Sequence, residues 1–546
     1  MKITINEKVY EYEKSLTLEE IVKQMGLKDI LAATVDGRLR ELTYLVVKDS
    51  VIEFLSYNHP DAVRIYETTL RYVLAMAVKN LYPKAKVKFN YSISRSILAV
   101  LEGIDDSLRN EHVEAINQEV LRIVKQDLPI YRERIPLGEA MDLYRRLDMP
   151  DKVAVLEYRE EEYVNLYECD GYVNYMFGYM LPRTSYINSF RLFLYHPGFI
   201  IQYPRSEFNG NIPTFNDEPI FGLALKEAAK WGKIIQGNTI PKMNEYAKDY
   251  ESAVDFVNMC ESKHGHMLAE LGKEIMNNID SIRLIGIAGP SSSGKTTFSH
   301  RLRIELMALG LKPVMISIDD YYLGREMAPK NADGTPDLEH IDALDVELFN
   351  KDMFNLIQGQ AVTLPIFNFK TGKREVGKTV KLSQNTPMII EGIHALNERL
   401  TESIPRHQKY QIYIAPQTQL HIDDHNPISI TELRMLRRIV RDQRHRNASA
   451  SVTLDMWPSV RRGEFKWIYP FQKDANFVFN SELTYEFAVL KKHAIRQLQE
   501  ISPDSKHFIT ANRLLKFLKY FIDIDDEIVP SNSILREFIG GSSFHR

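Results

Sequence analysis

RLIGIAGPSSSGKTT, residues 283–297, is the stretch on which the reading of this chain turns. Leu284, Ile285, Ile287 and Ala288 make an apolar run of strand character. Gly289 to Thr296 then fit GxxxxGK[ST], and Phe298, Leu302, Leu306 and Leu309 follow at helical spacing. Strand, glycine-bounded loop and helix in that order form a phosphate cradle. Gly289 and Gly294 permit the turns that aim the N–H groups of Ser291, Ser292, Ser293 and the following residues at phosphate oxygens, and the helix N-terminus at Thr296 and Thr297 adds its positive dipole end. Lys295 is placed to reach the β- and γ-phosphates, and the Thr296 hydroxyl suits Mg²⁺.

Working outward, residues 314–318 predict a second buried strand that runs into Asp319-Asp320-Tyr321-Tyr322, and residues 387–390 a third that ends in Glu391-Gly392. Carboxylates at the carboxyl ends of strands in an open α/β sheet lie in the crevice where ligands bind. Asp319 is there as a base for an attacking hydroxyl, and Glu391 as a Mg²⁺ ligand, direct or through water. Asp320 can also be read as a solvated turn acid. Further on, Arg434, Arg437, Arg438, Arg441, Arg444 and Arg446 interleave with Leu433, Leu436, Ile439 and Val440. Several of these guanidinium groups share a helical face, as a lid closing over triphosphate oxygens requires.

The chain has 546 residues, enough for three to five domains, with 44% apolar and 26% charged residues and a formal charge of −4. That balance predicts a folded, soluble chain and gives no global argument for coating nucleic acid, although local patches stay open. Two cysteines, Cys169 and Cys260, make no disulfide framework and fit a reducing compartment, so the expected location is the cytoplasm. Apolar runs fall far below the ~18 residues that span a bilayer, and no leader or membrane contact is expected. The histidine clusters 264–266 and 421–425 read as surface turns, because neither has partners at metal-ligand spacing.

Residues 281–500 resemble the uridine kinase and phosphoribulokinase family. "GPSSSGKTT", "SIDDYY", "LEHIDALD", "LPIFNFKTGKR", "IIEGIHAL" and "RRIVRDQRHR" stand in the family's order and at its intervals. The resemblance implies ATP as phosphoryl donor and Mg²⁺ as cofactor, with Asp319 as general base for a ribose 5′-hydroxyl. It puts Thr296 and Glu391 on the metal and Arg438, Arg441 and Arg446 in the lid. It also implies an acceptor site in which Glu339 stands for the family's ribose-gripping Asp, Tyr322 is the acceptor-site Tyr, Phe367 packs on the base, and Arg438 contributes. Two departures bear on the acceptor. Gly372 replaces a base-contacting His, and Ala448 replaces a lid-side Arg, so base discrimination loses a polar contact.

The N-terminal half resembles the front of threonyl-tRNA synthetases. In residues 1–60, Thr17 and Glu20 form a capping-box signature, and Asp36-Gly37 a hairpin turn, within a strand-rich pattern similar to the TGS module, a small β-grasp domain. "YETTLRYVLAMAVKNLYP" (66–83) and "RIVKQDLPIYRERIPLGEAMDLY" (122–144) resemble the synthetase's α+β editing domain. At the positions of its four His and Cys residues the present chain has Thr68, Tyr72, Met176 and Met180, none a general base near neutral pH.

The expected architecture is therefore an α/β multidomain chain. It comprises a β-grasp domain (1–60), an editing-like region without its His/Cys site (61–220), a helical connector (221–280), a P-loop kinase domain with a mostly parallel sheet (281–500) and a C-terminal helical segment (501–546) assigned no chemistry. The expected function is phosphorylation of a uridine- or cytidine-like nucleoside. A different acceptor within the same family, or an RNA-associated nucleotide-binding regulator, stays open as an alternative, as do a tRNA contact through the N-terminal half and self-association.

Overall fold

The computed structural model describes all residues except 105–106, 325, 332–333, 369–370, 384–385, 419 and 545–546; the pair Phe369-Lys370, inside the quoted "LPIFNFKTGKR", lies outside the described residues. At the N-terminus five strands form one sheet in the order Lys8–Glu11, Lys2–Ile5, Ser50–Ser56, Ile30–Val35, Arg38–Arg40. The central pair, Lys2–Ile5 and Ser50–Ser56, is parallel. Helix Leu18–Gln24 covers one face, burying Leu18, Ile21 and Val22 against Ile3, Ile5, Val35 and Ile52. This is the β-grasp arrangement. Its local signals work as expected: the Thr17 Oγ1 accepts from Glu20 N while Glu20 accepts from Thr17 N. Asp36 and Gly37 take the positive φ values, +50° and +73°, that a two-residue hairpin turn between Val35 and Arg38 needs.

Next comes helix Pro60–Leu81, buried along almost all its length against helix Asn110–Lys125 and a four-stranded antiparallel sheet, Arg191–Tyr195, Gly198–Gln202, Ser96–Glu102, Lys86–Ile93. Its run from Tyr72 to Val78 is apolar on every side, and such a run can sit only in a core. Thr68, Tyr72, Met176 and Met180 all belong to this interior. The Thr68 hydroxyl donates to the Arg64 carbonyl (2.9 Å) and the Tyr72 hydroxyl to the Tyr172 carbonyl (2.6 Å), so both hydroxyls are spent on internal bonds.

The C-terminal half is built on five strands, all parallel, in the order Val314–Ser317, Met388–Glu391, Leu284–Ala288, Lys409–Ala415, Phe477–Asn480. Both faces are covered, which explains the continuous apolar runs. Ile285 and Ile287 of the central strand meet Phe298, Leu302 and Leu271 on one side, and Leu284 and Ala288 meet Ile316, Phe349 and Met353 on the other. Helices Ile240–Ala247 and Tyr250–Asn277 contribute Ile240, Met243, Phe256 and Val257 to the first of these cores, so the stretch read as a connector shares the core of the parallel sheet.

The two histidine clusters differ from the expectation of surface turns. His264 lies within helix Tyr250–Asn277, buried, with Nε2 3.1 Å from the Glu482 carbonyl oxygen. Residues 421–427 form a small hairpin that plugs into the N-terminal half. Asp423 binds Lys152 Nζ (2.8 Å), His425 Nδ1 lies 2.8 Å from Asn174 Nδ2, and Phe177 N donates to Asn426 Oδ1 (2.8 Å). Such polar side chains can be buried when distant segments supply their partners, and nothing in the local sequence shows those partners. Among the described residues no helix is long and apolar enough to cross a membrane.

Candidate active site

The carboxyl edge of the parallel sheet gathers the loop after Leu284–Ala288, the turn after Val314–Ser317 and the end of Met388–Glu391. Gly289 has no room for a side chain, since a Cβ would run into the Ile414 carbonyl of the neighbouring strand. Gly294 has φ +86° and would meet Ile534 from the far C-terminus. Helix Lys295–Ala308 begins immediately after, with Thr296 and Thr297 in its first turn. The hydroxyls of Ser292 and Ser293 are buried with no hydrogen-bond partner. Lys295 Nζ folds back on the loop, donating to the carbonyls of Gly289 (3.0 Å) and Pro290 (3.2 Å). Burial pulls its pKa down, opposed by Glu391, Glu537 and Asp319. Orphaned hydroxyls and a lysine satisfied only by loop carbonyls are what a site for phosphate oxygens leaves when its partners come from the ligand.

Besides Glu537, three carboxylates act with this lysine. Asp319 sits in the turn Ile318–Tyr321; burial raises its pKa, with Asp320 adding to the rise while Lys295 and Arg446 oppose it. Glu391 is pushed up to about 7 by burial and by Asp319. Glu339 is also raised to about 7 by burial, with Arg438 and Lys295 opposing. Crowded carboxylates beside one lysine leave negative charge that a hard divalent cation would relieve, and the Thr296 hydroxyl with Glu391 supplies oxygen donors of the right kind for Mg²⁺. Asp320 departs from its reading as a solvated turn acid. Its Oδ1 accepts from Phe367 N (3.1 Å) and ties hairpin Val362–Asn368/Lys373–Val380 to the end of the second strand.

That tie brings Phe367 next to Tyr322, ring centroids 5.7 Å apart. Tyr322 donates to the Leu338 carbonyl (3.2 Å), and Asp319 and Glu339 both act on its phenol. Gly372 closes the hairpin at φ +69° with open space around its Cβ position, so no polar side chain is offered there. Glu339 is held from behind: His394 Nε2 lies 3.0 Å from its carbonyl oxygen, His394 packs on Trp467, and Gly463 makes room for its side chain. A Cβ at Gly463 would lie 2.6 Å from Glu339 Cβ. Gly463→Ala should therefore displace Glu339 and lower kcat/KM for the acceptor by about ten- to a hundredfold, with the KM for ATP little changed, as steady-state kinetics would show.

Helix Ile430–Arg446 splits the arginine row in two. Arg434 and Arg437 are fully buried and differ from the expected lid role. Arg434 pairs with Glu464, and Arg437 pairs with Glu486 (Nε–Oε2 2.6 Å). From there they donate to the loop carbonyls of Ser291 (3.1 Å) and Ser292 (3.3 Å). They brace the loop from outside because buried acids, unseen in the local pattern, claim them. Arg438, Arg441 and Arg446 are the ones directed at the site. Arg438 Nη1 donates to Ser291 Oγ (2.6 Å), and the charges of Arg441 and Arg446 act on Lys295 and Asp319. All three lean on the buried Asp442, at 3.2, 2.9 and 3.5 Å. Asp442 was not singled out from sequence, although its spacing four residues from both Arg438 and Arg446 is a readable signal. Glu464, Glu486 and Glu537 carry no comparable local signal.

A separate cavity of about 1760 Å³ lies between the halves, and Asp319, Tyr322, Glu339 and Phe367 do not line it. One end carries Arg38, Arg40, Arg132, Arg134 and Lys516; the other reaches Pro290 and Arg434. Burial lowers the Lys516 pKa, and Arg132 and Arg40 lower it further, while Arg40 Nε is buried with no hydrogen-bond partner.

This geometry is that of a P-loop kinase fold, and sequence comparison agrees. Residues 284–487 match the model of the Phosphoribulokinase / Uridine kinase family. The N-terminal part is similar to threonine–tRNA ligases. It is 32% identical over 184 residues to that of Thermotoga neapolitana, covering 33% of this chain and 28% of the ligase, and 30% identical over 197 residues to that of Clostridium tetani, covering 35% and 31%. The chain thus spans less than a third of these relatives. Among solved structures, one described as a possible uridine kinase from Bacillus stearothermophilus is 19% identical (38% of this chain, 100% of that one, TM-score 0.25). D-glycerate 3-kinase from Cryptococcus neoformans is 12% identical (46% and 87%, TM-score 0.21). The C-terminal half is thus similar to the Phosphoribulokinase / Uridine kinase family, and the N-terminal part to threonine–tRNA ligases.

Proposed function

We propose that the C-terminal half transfers the γ-phosphoryl group of ATP to the 5′-hydroxyl of a ribonucleoside, with uridine or cytidine as the first candidates. The observation that carries this reading is the convergence of Lys295, Asp319, Glu391 and Glu339 with Arg438, Arg441 and Arg446 at one sheet edge. The loop N–H groups, the Ser292 and Ser293 hydroxyls and Lys295 hold the phosphate chain. Asp319 takes the proton of the acceptor hydroxyl as its oxygen bonds to the γ-phosphorus and the bond to the β-phosphate oxygen breaks, releasing ADP. The three arginines offset charge on the group in flight and exclude water. Glu339 accepts from sugar hydroxyls, and Phe367 and Tyr322 present flat apolar surface to a base. Mg²⁺ held by Thr296 and Glu391 would neutralise phosphate charge. Release of ADP measured across a panel of nucleosides and sugar phosphates tests the reading. Stimulation by a pyrimidine nucleoside is the expected outcome, and stimulation by a sugar phosphate alone would replace the acceptor, a result to which Gly372 leaves the site open.

A pH dependence follows from Glu391. Its folded pKa of about 7 lies above the ordinary carboxylate range, so it is protonated below neutrality and cannot bind metal as a carboxylate. The Mg²⁺ concentration for half-maximal activity should rise about fivefold from pH 7 to pH 6, and Glu391→Gln should flatten that rise.

The cavity between the halves favours a second role, contact with RNA. Its crowded cations and the aromatic faces paired with them, Arg132 on Tyr179 and Arg134 on Tyr163, are the surface chemistry that a single-stranded nucleic acid uses. Binding of tRNA to the full chain that weakens steeply with salt supports this role; its absence at low salt removes it.

A further inference from the structure

Residues 534–544 lie on and beside the phosphate loop. Thr297 N, in the first turn of the helix that the loop opens, donates to Glu537 Oε2 (3.0 Å). The same carboxylate acts on Lys295 and on Glu391. Ile534, fully buried, fills the space over Gly294. Phe538 lies under the Arg437 guanidinium (4.9 Å), Gly540 slips past Arg444 where a side chain would collide, and Phe544 stacks on His300 (5.4 Å, 9°).

This contact is built, not incidental. Arg536 gathers the segment into a compact loop, donating to the carbonyls of Asp526 (2.7 Å), Val529 (2.6 Å) and Gly540 (3.3 Å), so that Glu537 is presented to the helix end by a rigid support. Ser533, Leu535 and Ile539 are buried beneath it. A free helix N-terminus with its positive dipole end and a nearby lysine is an anion site, and here the anion is a side chain of the same molecule. The N–H group that Glu537 occupies belongs to the set a phosphate chain needs.

We propose that residues 530–543 are an intramolecular competitor of the nucleotide, with Glu537 standing where a phosphate group binds, and that this segment withdraws when MgATP enters. The proposal rests on the reading of 289–297 as the nucleotide site. Because the segment also packs on helix Ile430–Arg446 through Phe538 and Gly540, its withdrawal frees the helix that carries Arg438, Arg441 and Arg446. Nucleotide binding and lid movement are thereby coupled.

The test uses the full chain with Mg²⁺ and a ribose-labelled fluorescent ATP, comparing wild type, Glu537→Gln, Glu537→Ala and Lys295→Ala, together with hydrogen exchange of 530–541 in the wild type. The expected result is about tenfold tighter binding in both Glu537 variants, the scale of one lost charge-assisted contact, and faster exchange of 530–541 when ATP is added. Unchanged or weaker binding in both variants with unaltered exchange overturns the proposal and leaves the nucleotide site standing. Full binding by Lys295→Ala overturns the nucleotide-site reading itself. Absence of binding to the wild type and to both Glu537 variants overturns both.

Discussion

Asp319→Asn is expected to lower phosphoryl transfer by about 10²–10⁴-fold, the usual contribution of a positioned general base, while ATP binding changes little. The amide keeps the size of the side chain and its place in the turn Ile318–Tyr321, but it cannot take a proton. The flanking groups make the carboxylate indispensable. Burial raises its pKa while Lys295 and Arg446 oppose the rise, which makes it a stronger base than an exposed aspartate. Single-turnover rates report the chemical step and nucleotide titration reports binding. A loss of both, or of neither, would remove Asp319 from the base role. The neighbouring Asp320 provides the contrast. Its carboxylate is occupied by Phe367 N, so Asp320→Asn should affect acceptor KM more than turnover.

Lys152→Met should be the most damaging substitution outside the active site. Lys152 and Asp423 are both at 0% side-chain exposure, 2.8 Å apart, and Asp423 also accepts from His425 N and Asn426 Nδ2. Removing the ammonium leaves a carboxylate deep in the protein without its counter-charge, a change that costs about 3–5 kcal/mol. The pair joins the editing-like region to the kinase half, so the loss should appear as a lower urea midpoint and as protease sensitivity at the junction. Replacing both partners, Lys152→Met with Asp423→Leu, should recover much of that loss, since no buried charge is then left unpaired. Equal destabilisation in the single and double variants would show that the loss does not come from an unpaired buried carboxylate. Burial would raise the Asp423 pKa, but Lys152, His425 and the hydrogen bonds from Lys152 and Asn426 outweigh it and hold the pKa below the ordinary carboxylate value. The stabilisation is accordingly complete above the unfolded carboxylate pKa and is lost as pH falls through the lower folded value, so the junction should persist at pH 5.

Much of the site was legible because its signals are local. Gly289, Gly294, Lys295 and Thr296 lie in one contiguous turn, and the acids Asp319 and Glu391 each directly follow an apolar strand. Their meeting point follows from the rule that parallel strands present their carboxyl ends to one crevice. The arginine helix was legible only in part. Its periodicity shows that Arg434, Arg437, Arg438 and Arg441 lie near one another, but whether a guanidinium faces ligand or protein depends on Glu464, Glu486 and Asp442.

The sequence by itself determined the parallel α/β half with its phosphate loop and the β-grasp module, because capping boxes, Asp-Gly turns and strand periodicity act over a few residues. Tertiary structure alone decided that residues 421–427 plug the junction, that two of the arginines brace the loop and that Glu537 rests on the first turn of the helix after it. In each case a buried or half-buried charge is held by a partner brought from far along the chain: Lys152 for Asp423, 271 residues away, and Thr297 N for Glu537, 240 residues away. The need for such a partner can be inferred from residue type, but its identity exists only once the chain has folded and water has been excluded.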